Sequence, residues 1–133
     1  MTDAIKLTIP HQKSYYGVVR LVVGGLAARL DLSYESLEDL QLALESLLGN
    51  EAYASGDDVT IEFALTPGSI QMLVGPLDGA RLRPDLEATA GDGEGVSLGR
   101  LLATVVGDVS LEERDGGQWV RLEKRRPGTE ASA

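Results

Sequence analysis

SYESLEDLQLALESLLGNEAYASG, residues 33–56, is the stretch whose reading decides the fold. Within it Leu37, Leu40, Leu44, Leu47 and Leu48 recur at steps of three and four, while Glu38, Asp39, Gln41 and Glu45 fall outside that stripe. The pattern is that of a helix lying on a core. Ser33 is placed to cap it, Glu35 and Glu38 put negative charge in its first turns where the helix dipole favours it, and the periodicity stops at Gly49. Asn50 follows directly.

Upstream, Ile5, Leu7 and Ile9 alternate with Lys6 and Thr8 until Pro10, which predicts a half-buried strand at or near a sheet edge. Residues 13–30, KSYYGVVRLVVGGLAARL, predict a helix with Val18, Val22, Leu26 and Leu30 on one face. Gly24 and Gly25 weaken such a helix by about 1 kcal/mol each relative to alanine, so close packing is the expected reason for them. Downstream, Val59, Ile61, Phe63 and Leu65 form one strand and Ile70, Met72 and Val74 another, joined by the turn Thr66-Pro67-Gly68-Ser69. From Gly75 to Gly99 glycine and charge dissolve the periodicity, and a long loop is expected. Leu98, Leu101, Leu102, Val105 and Val106 then fit a short helix. A last hairpin runs through Val109–Glu113, the turn 114–117 and Gln118–Lys124. Trp119 alternates with Val120 and Leu122 and is expected on the open sheet face, as a partly covered strand residue.

The chain has 133 residues, which suits one domain, residues 1–124, with a disordered tail at 125–133 whose RRPGTEASA composition cannot support a core. Helices and strands in this order predict an α+β two-layer sandwich: a mixed, mostly antiparallel sheet with three helices on one face. With 12 Lys+Arg against 21 Asp+Glu, the formal charge of -9 repels phosphate backbones and excludes a nucleic-acid groove binder, leaving protein as the expected partner. There is no cysteine, hence no disulfide or thiolate metal site, and the single histidine, His11, reads as a surface residue rather than a zinc ligand. No apolar stretch reaches the roughly 18 residues of a membrane span and the N-terminus lacks an export pattern. A cytoplasmic protein is expected.

Asp39, then Leu42-Ala43-Leu44, then Asn50 followed by Ala52 resemble the asparagine box of the bacterial anti-sigma factors that double as serine kinases, a family of the GHKL (histidine kinase-like) ATPases. LTIP, Arg20 and VVGGLAARLDLS look like that family's first strand and helix. LVGPLDGARLRP falls at its first glycine box, GVSLGRLL at its second and GDVSLEERDGGQWVRLEK at its closing hairpin, so the resemblance spans residues 5–124. It implies ATP and Mg²⁺ as cofactors, with the Asn50 side-chain oxygen on the metal if ATP binds.

Several positions depart from the family pattern. A glutamate belongs four residues before the asparagine, and Ser46 stands there. At 100° per residue, positions 46 and 50 lie about 40° apart and 45 and 50 about 140°, so Glu45 cannot replace it. An unassisted Ser46 hydroxyl forfeits a general-base contribution of about 10²–10⁴. Anchored on Leu82 and Pro84, the first box has Gly79 at its first glycine, Arg81 at its second and Leu77 at the adenine-binding aspartate. Asp78 is one residue away, although Asp78-Gly79 is also an ordinary turn dipeptide. The second box holds Gly91, Gly93, Gly95 and Gly99, with Ser97 replacing a glycine and Arg100 as a compensating cation. Asp92 and Glu94 add charge of the wrong sign for phosphates. Asn50 itself reads equally well as a cap or turn residue.

The resemblance also implies a partner surface on the first helix, where Tyr15, Tyr16 and Arg20 form an aromatic-plus-arginine cluster of the kind that anchors interfaces. The expected function is an anti-sigma-factor-like regulator that binds a sigma factor or an anti-anti-sigma (STAS-like) partner with impaired ATP binding. An active serine/threonine-protein kinase acting on an anti-anti-sigma factor with Mg-ATP is the alternative. A homodimer is compatible with either.

Overall fold

The computed structural model describes residues 3–87 and 97–125. Strand β1, Asp3–Pro10, is followed by a 3₁₀ turn at Lys13–Tyr15, helix α1 at Tyr16–Arg29 and helix α2 at Tyr34–Leu48. After a second 3₁₀ turn, Glu51–Tyr53, come β2 (Asp58–Leu65), β3 (Ser69–Leu77), α3 (Gly79–Glu87), α4 (Leu98–Val105), β4 (Asp108–Arg114) and β5 (Gly117–Arg125). The sheet runs β1-β2-β3-β5-β4, with every neighbouring pair antiparallel. The α+β sandwich is as the sequence predicts, and its sheet is antiparallel throughout rather than mixed. Among the described residues four helices, not three, complete it. β1 is an edge strand, as Pro10 indicates. Arg125, expected in the tail, extends β5; residues 126–133 lie outside the described residues.

Period-two alternation places Val59, Ile61, Phe63 and Leu65 of β2, Ile70, Met72 and Val74 of β3, and Val120 and Leu122 of β5 on the helix-covered face. Onto them α2 lays Leu40, Ala43, Leu44, Leu47 and Leu48, all buried. Ser33 caps α2 by accepting from the Ser36 amide at 3.1 Å. Lys124 closes the far end: its Nζ donates to Asp39 of α2 at 3.1 Å and to the Val105 carbonyl, in the last turn of α4, at 2.8 Å. Among the described residues no helix is long and apolar enough to cross a membrane.

Two helical expectations need correction. In α1 the buried residues are Val19, Val23, Leu26 and Ala27, while Val18 is exposed and Val22 and Leu30 only half-buried. The segment is apolar nearly all round, so period alone does not select a face; Tyr16 and Arg20, which reach α2, set the rotation. The glycines there do not serve close packing, because a Cβ at Gly17, Gly24 or Gly25 would meet nothing within 4 Å. The second correction is α3, which lies inside the expected loop. Asp78 Oδ1 accepts from the amides of Ala80 and Arg81 at 3.1 and 3.3 Å, and Leu82 is fully buried, so a cap and one core anchor hold a helix that Gly79 and Pro84 disguise.

The opposite sheet face carries Lys6, Glu62, Gln71, Glu112, Arg114 and Arg121 around a shallow concavity. Glu62 pairs with Arg114 at 3.1 Å, and Arg121 with Glu112 at 2.7 Å and with Gln71 at 3.3 Å. Trp119 lies on this face, 7% exposed, where an added Cβ on Gly75 would run into its ring. The Arg114 guanidinium stands over the ring, 5.1 Å from its centroid. At the β4–β5 turn Asp115 and Gly116 both take positive φ, 54° and 79°, as a tight hairpin turn requires.

Candidate functional site

The end of α2 is where the sequence motifs meet. The Leu48 carbonyl, in the last turn of the helix, accepts from the Tyr16 hydroxyl and from His11 Nε2 at 3.2 Å. A carbonyl only accepts, so Nε2 is the donor. His11 is therefore half-buried against a helix end, not free on the surface. Burial, and secondarily the charge of Glu51, raise the Tyr16 pKa above its ordinary value.

Asn50 caps the following 3₁₀ turn: its Oδ1 accepts from the Ala52 amide at 2.9 Å. Beside it the Tyr53 hydroxyl donates to Asp85 on α3. Burial pushes the Tyr53 pKa up to about 12; the Asp85 hydrogen bond and charge add to the rise, and the neighbouring Asn50 side chain opposes it. Tyr53 is buried and Asp85 exposed, so the phenol reaches out from the core to the helix above it. The same turn is joined to the end of β3, where Ala54 bridges Leu77 and the Asp78 amide donates to the Tyr53 carbonyl at 2.9 Å.

Ser46 sits on the flank of α2 and donates to the Leu42 carbonyl at 2.8 Å, the back-bonding usual for a helical serine. Leu77 is buried, Asp78 caps α3, and Gly79 is required because a Cβ there would strike the Gln118 side chain. Gly99 lies flush on α3, where an added Cβ would fall well inside contact distance of the Leu86 carbonyl. Ser97 caps α4, its Oγ accepting from the Arg100 amide at 3.2 Å, and the Arg100 side chain is exposed in the first turn. Gly91, Asp92, Gly93, Glu94 and Gly95 lie outside the described residues.

Structure thus brings Asn50 together with Leu77, Asp78 and α3, and α3 together with the start of α4. On α1 it separates the expected cluster. Tyr16 and Arg20 turn toward α2, where the Arg20 guanidinium donates to Glu45, while Tyr15 stays exposed at the end of the first 3₁₀ turn. Sequence reasoning missed Tyr53 and Asp85, which are 32 residues apart and meet only through the fold. One signal was available: Tyr53 is the single large apolar ring between Gly49 and Gly56, so it had to be buried somewhere. Among the described residues no group of three or more His, Asp or Glu is placed to hold a metal ion.

No family model matches the chain. It is 28% identical, over 86% of its own length and 78% of the relative's, to the serine-protein kinase RsbW of Halalkalibacterium halodurans. Over 54% of the chain it is 32% identical to the serine-protein kinase RsbW of Oceanobacillus iheyensis and 30% identical to that of Bacillus subtilis, spanning 49% and 48% of those proteins. The α+β sandwich with its antiparallel sheet is consistent with these relatives. The resemblance carried by Asp39, Asn50 and the spaced glycines therefore has a counterpart along most of the sequence, and over most of its length the chain is similar to a serine-protein kinase RsbW.

Proposed function

We propose that the chain is a partner-binding regulator of the anti-sigma type, which engages a sigma factor or an anti-anti-sigma (STAS-like) protein and whose ATP binding is impaired. The observation that carries the second half is the engagement of Asn50. Its amide oxygen, the atom that would face Mg²⁺, is spent on the Ala52 amide. Around it, Ser46 bonds its own helix, Leu77 offers no acceptor for an adenine amino group, and Asp85 on α3 adds a negative charge beside Tyr53. These residues do not fit Mg-ATP in this arrangement, so no phosphoryl-transfer step is drawn through them.

Isothermal titration with Mg-ATP is expected to give very weak binding or none, and a dissociation constant in the low micromolar range would overturn the reading. Asn50→Ala should cost about 1 kcal/mol of stability, the usual worth of a cap, with the same loss in the presence and absence of magnesium and nucleotide. A loss confined to the Mg-ATP sample would return Asn50 to a metal-binding role. The competing function, a serine kinase acting on an anti-anti-sigma protein, draws on the name of the relatives. Phosphate transfer from labelled ATP to a STAS-like protein would establish it. For the partner-binding half, the wild-type chain is expected to recover a sigma factor or a STAS-like protein from native extract, and recovery of neither counts against it.

A further inference from the structure

Helices α1 and α2 pack side by side, and the contacts between them fix their register. Arg20 meets Glu45 and Tyr16 meets Leu48, so Leu21 stands near the level of Ala43 and Leu44, within one turn of Leu42. The outward faces of this pair hold the largest exposed apolar side chains of the helix layer. Leu21 is 78% exposed, Tyr34 73%, Leu42 42% and Val18 41%. On α2, positions 34, 38, 42 and 45 fall within about 80° of one another on the side away from the core, so Tyr34 and Leu42 are interleaved with Glu38 and Glu45. Glu35 borders them. On α1, Leu21 and Val18 are flanked by Gly17 and Gly25, whose backbone no neighbouring group approaches.

Charge decides what this face can receive. The cation between the helices, Arg20, is neutralised by Glu45, Arg29 is exposed two turns from Leu21 at the far end of α1, and among the described residues Glu35 and Glu38 on α2 make no ion pair. The face is therefore apolar in the middle and acidic along α2. A second copy docking here would bring two acidic ridges together, and an anionic lipid surface or a nucleic acid would be repelled in the same way. An apolar stripe with basic flanks is the complement, and two adjacent helical ridges with bare backbone beside them form a seat for a third helix.

We infer that the outward face of α1 and α2 is a docking surface for an amphipathic helix of a partner protein, with its apolar stripe on Leu21, Val18 and Leu42 and its basic flank against Glu35 and Glu38. This rests on the reading of the chain as a partner-binding regulator and names the chemistry of the partner. It also moves the anchor of the interface from Arg20, which is spent on Glu45, to the leucine beside it.

The test uses two fluorescein-labelled 18-residue peptides with the same leucine stripe, one with lysine and one with glutamate at all other positions. Fluorescence anisotropy on the full chain is expected to show binding of the leucine–lysine peptide and at least tenfold weaker binding of the leucine–glutamate one. Leu21→Ser and Leu42→Ser should each weaken the first peptide about tenfold while leaving the unfolding transition in place, because both side chains are exposed. Glu35→Lys with Glu38→Lys should narrow or reverse the preference between peptides. With the first peptide bound, amide exchange should slow within residues 14–46 and not on the sheet. Equal affinity for both peptides, or affinity unchanged in the leucine and glutamate variants, overturns the proposal. If those variants leave peptide binding unchanged while the chain still captures a sigma factor or STAS-like protein, this face is refuted and the regulator reading stands. Capture of neither by a chain that binds the peptide as described refutes the regulator reading and leaves the face.

Discussion

Gly99→Ala is expected to destabilise the chain by about 3 kcal/mol, lowering Tm by roughly 10 °C for a domain of this size. The added methyl would be driven into the Leu86 carbonyl, and backbone on both sides leaves no rotamer that could give way. Relief requires α4 to withdraw from α3. Beneath that contact Leu82 and Leu102 are both 0% exposed, so withdrawal would open a void in the core. Gly25→Ala is the matched control. With nothing near its Cβ and an exposed position in α1, it should raise stability by about 0.5–1 kcal/mol. Thermal unfolding followed by circular dichroism separates the two, and similar Tm values for both variants would show that the α3–α4 contact is not rigid.

Replacing Tyr53 tests the connection between the Asn50 turn and α3. Tyr53→Ala removes a ring that is 4% exposed and should cost about 3–5 kcal/mol, whereas Tyr53→Phe keeps the ring, loses only the hydrogen bond to Asp85, and should cost about 1–2 kcal/mol. The phenol also sets a pH dependence. Its folded pKa of about 12 lies above the unfolded value of 10.0, so the folded state holds the proton more tightly. The resulting stability is fully present below pH 10 and lost as pH rises through about 12. Tyr16, also raised, acts in the same direction. Denaturant unfolding at neutral and at strongly alkaline pH should show the wild type losing more stability than Tyr53→Phe. Equal losses would mean that the phenol is neither buried nor held by Asp85 in solution.

What could be read in advance followed from local pattern. The α2 stripe, the Ser33 cap and the strand alternations are short-range properties, and α2, β2, β3, β4 and β5 appear within a few residues of where periodicity places them. α1 was found but its rotation was not, because Val18, Val19, Leu21, Val22 and Val23 leave no polar side to exclude. α3 was missed because glycine, proline and alternating charge conceal a single anchor, Leu82. At the candidate site, the cap-like character of Asn50 and Asp78 was legible from residue type. That Asn50, Tyr53 and Asp85 would converge was not, since the encounter depends on β2 and β3 returning the chain to the end of α2.

The placement of Trp119 gives the molecule an optical asymmetry. It is the chain's only tryptophan, enclosed between Gly75 and the Arg114 guanidinium on the sheet face away from the helices. Indole emission is therefore a reporter for one side of the sandwich. A partner seated on α1 and α2 would leave it dark to the event, whereas anything that displaces Arg114 or covers the sheet would shift or quench it, so a single cuvette titration can tell from which side the molecule has been approached.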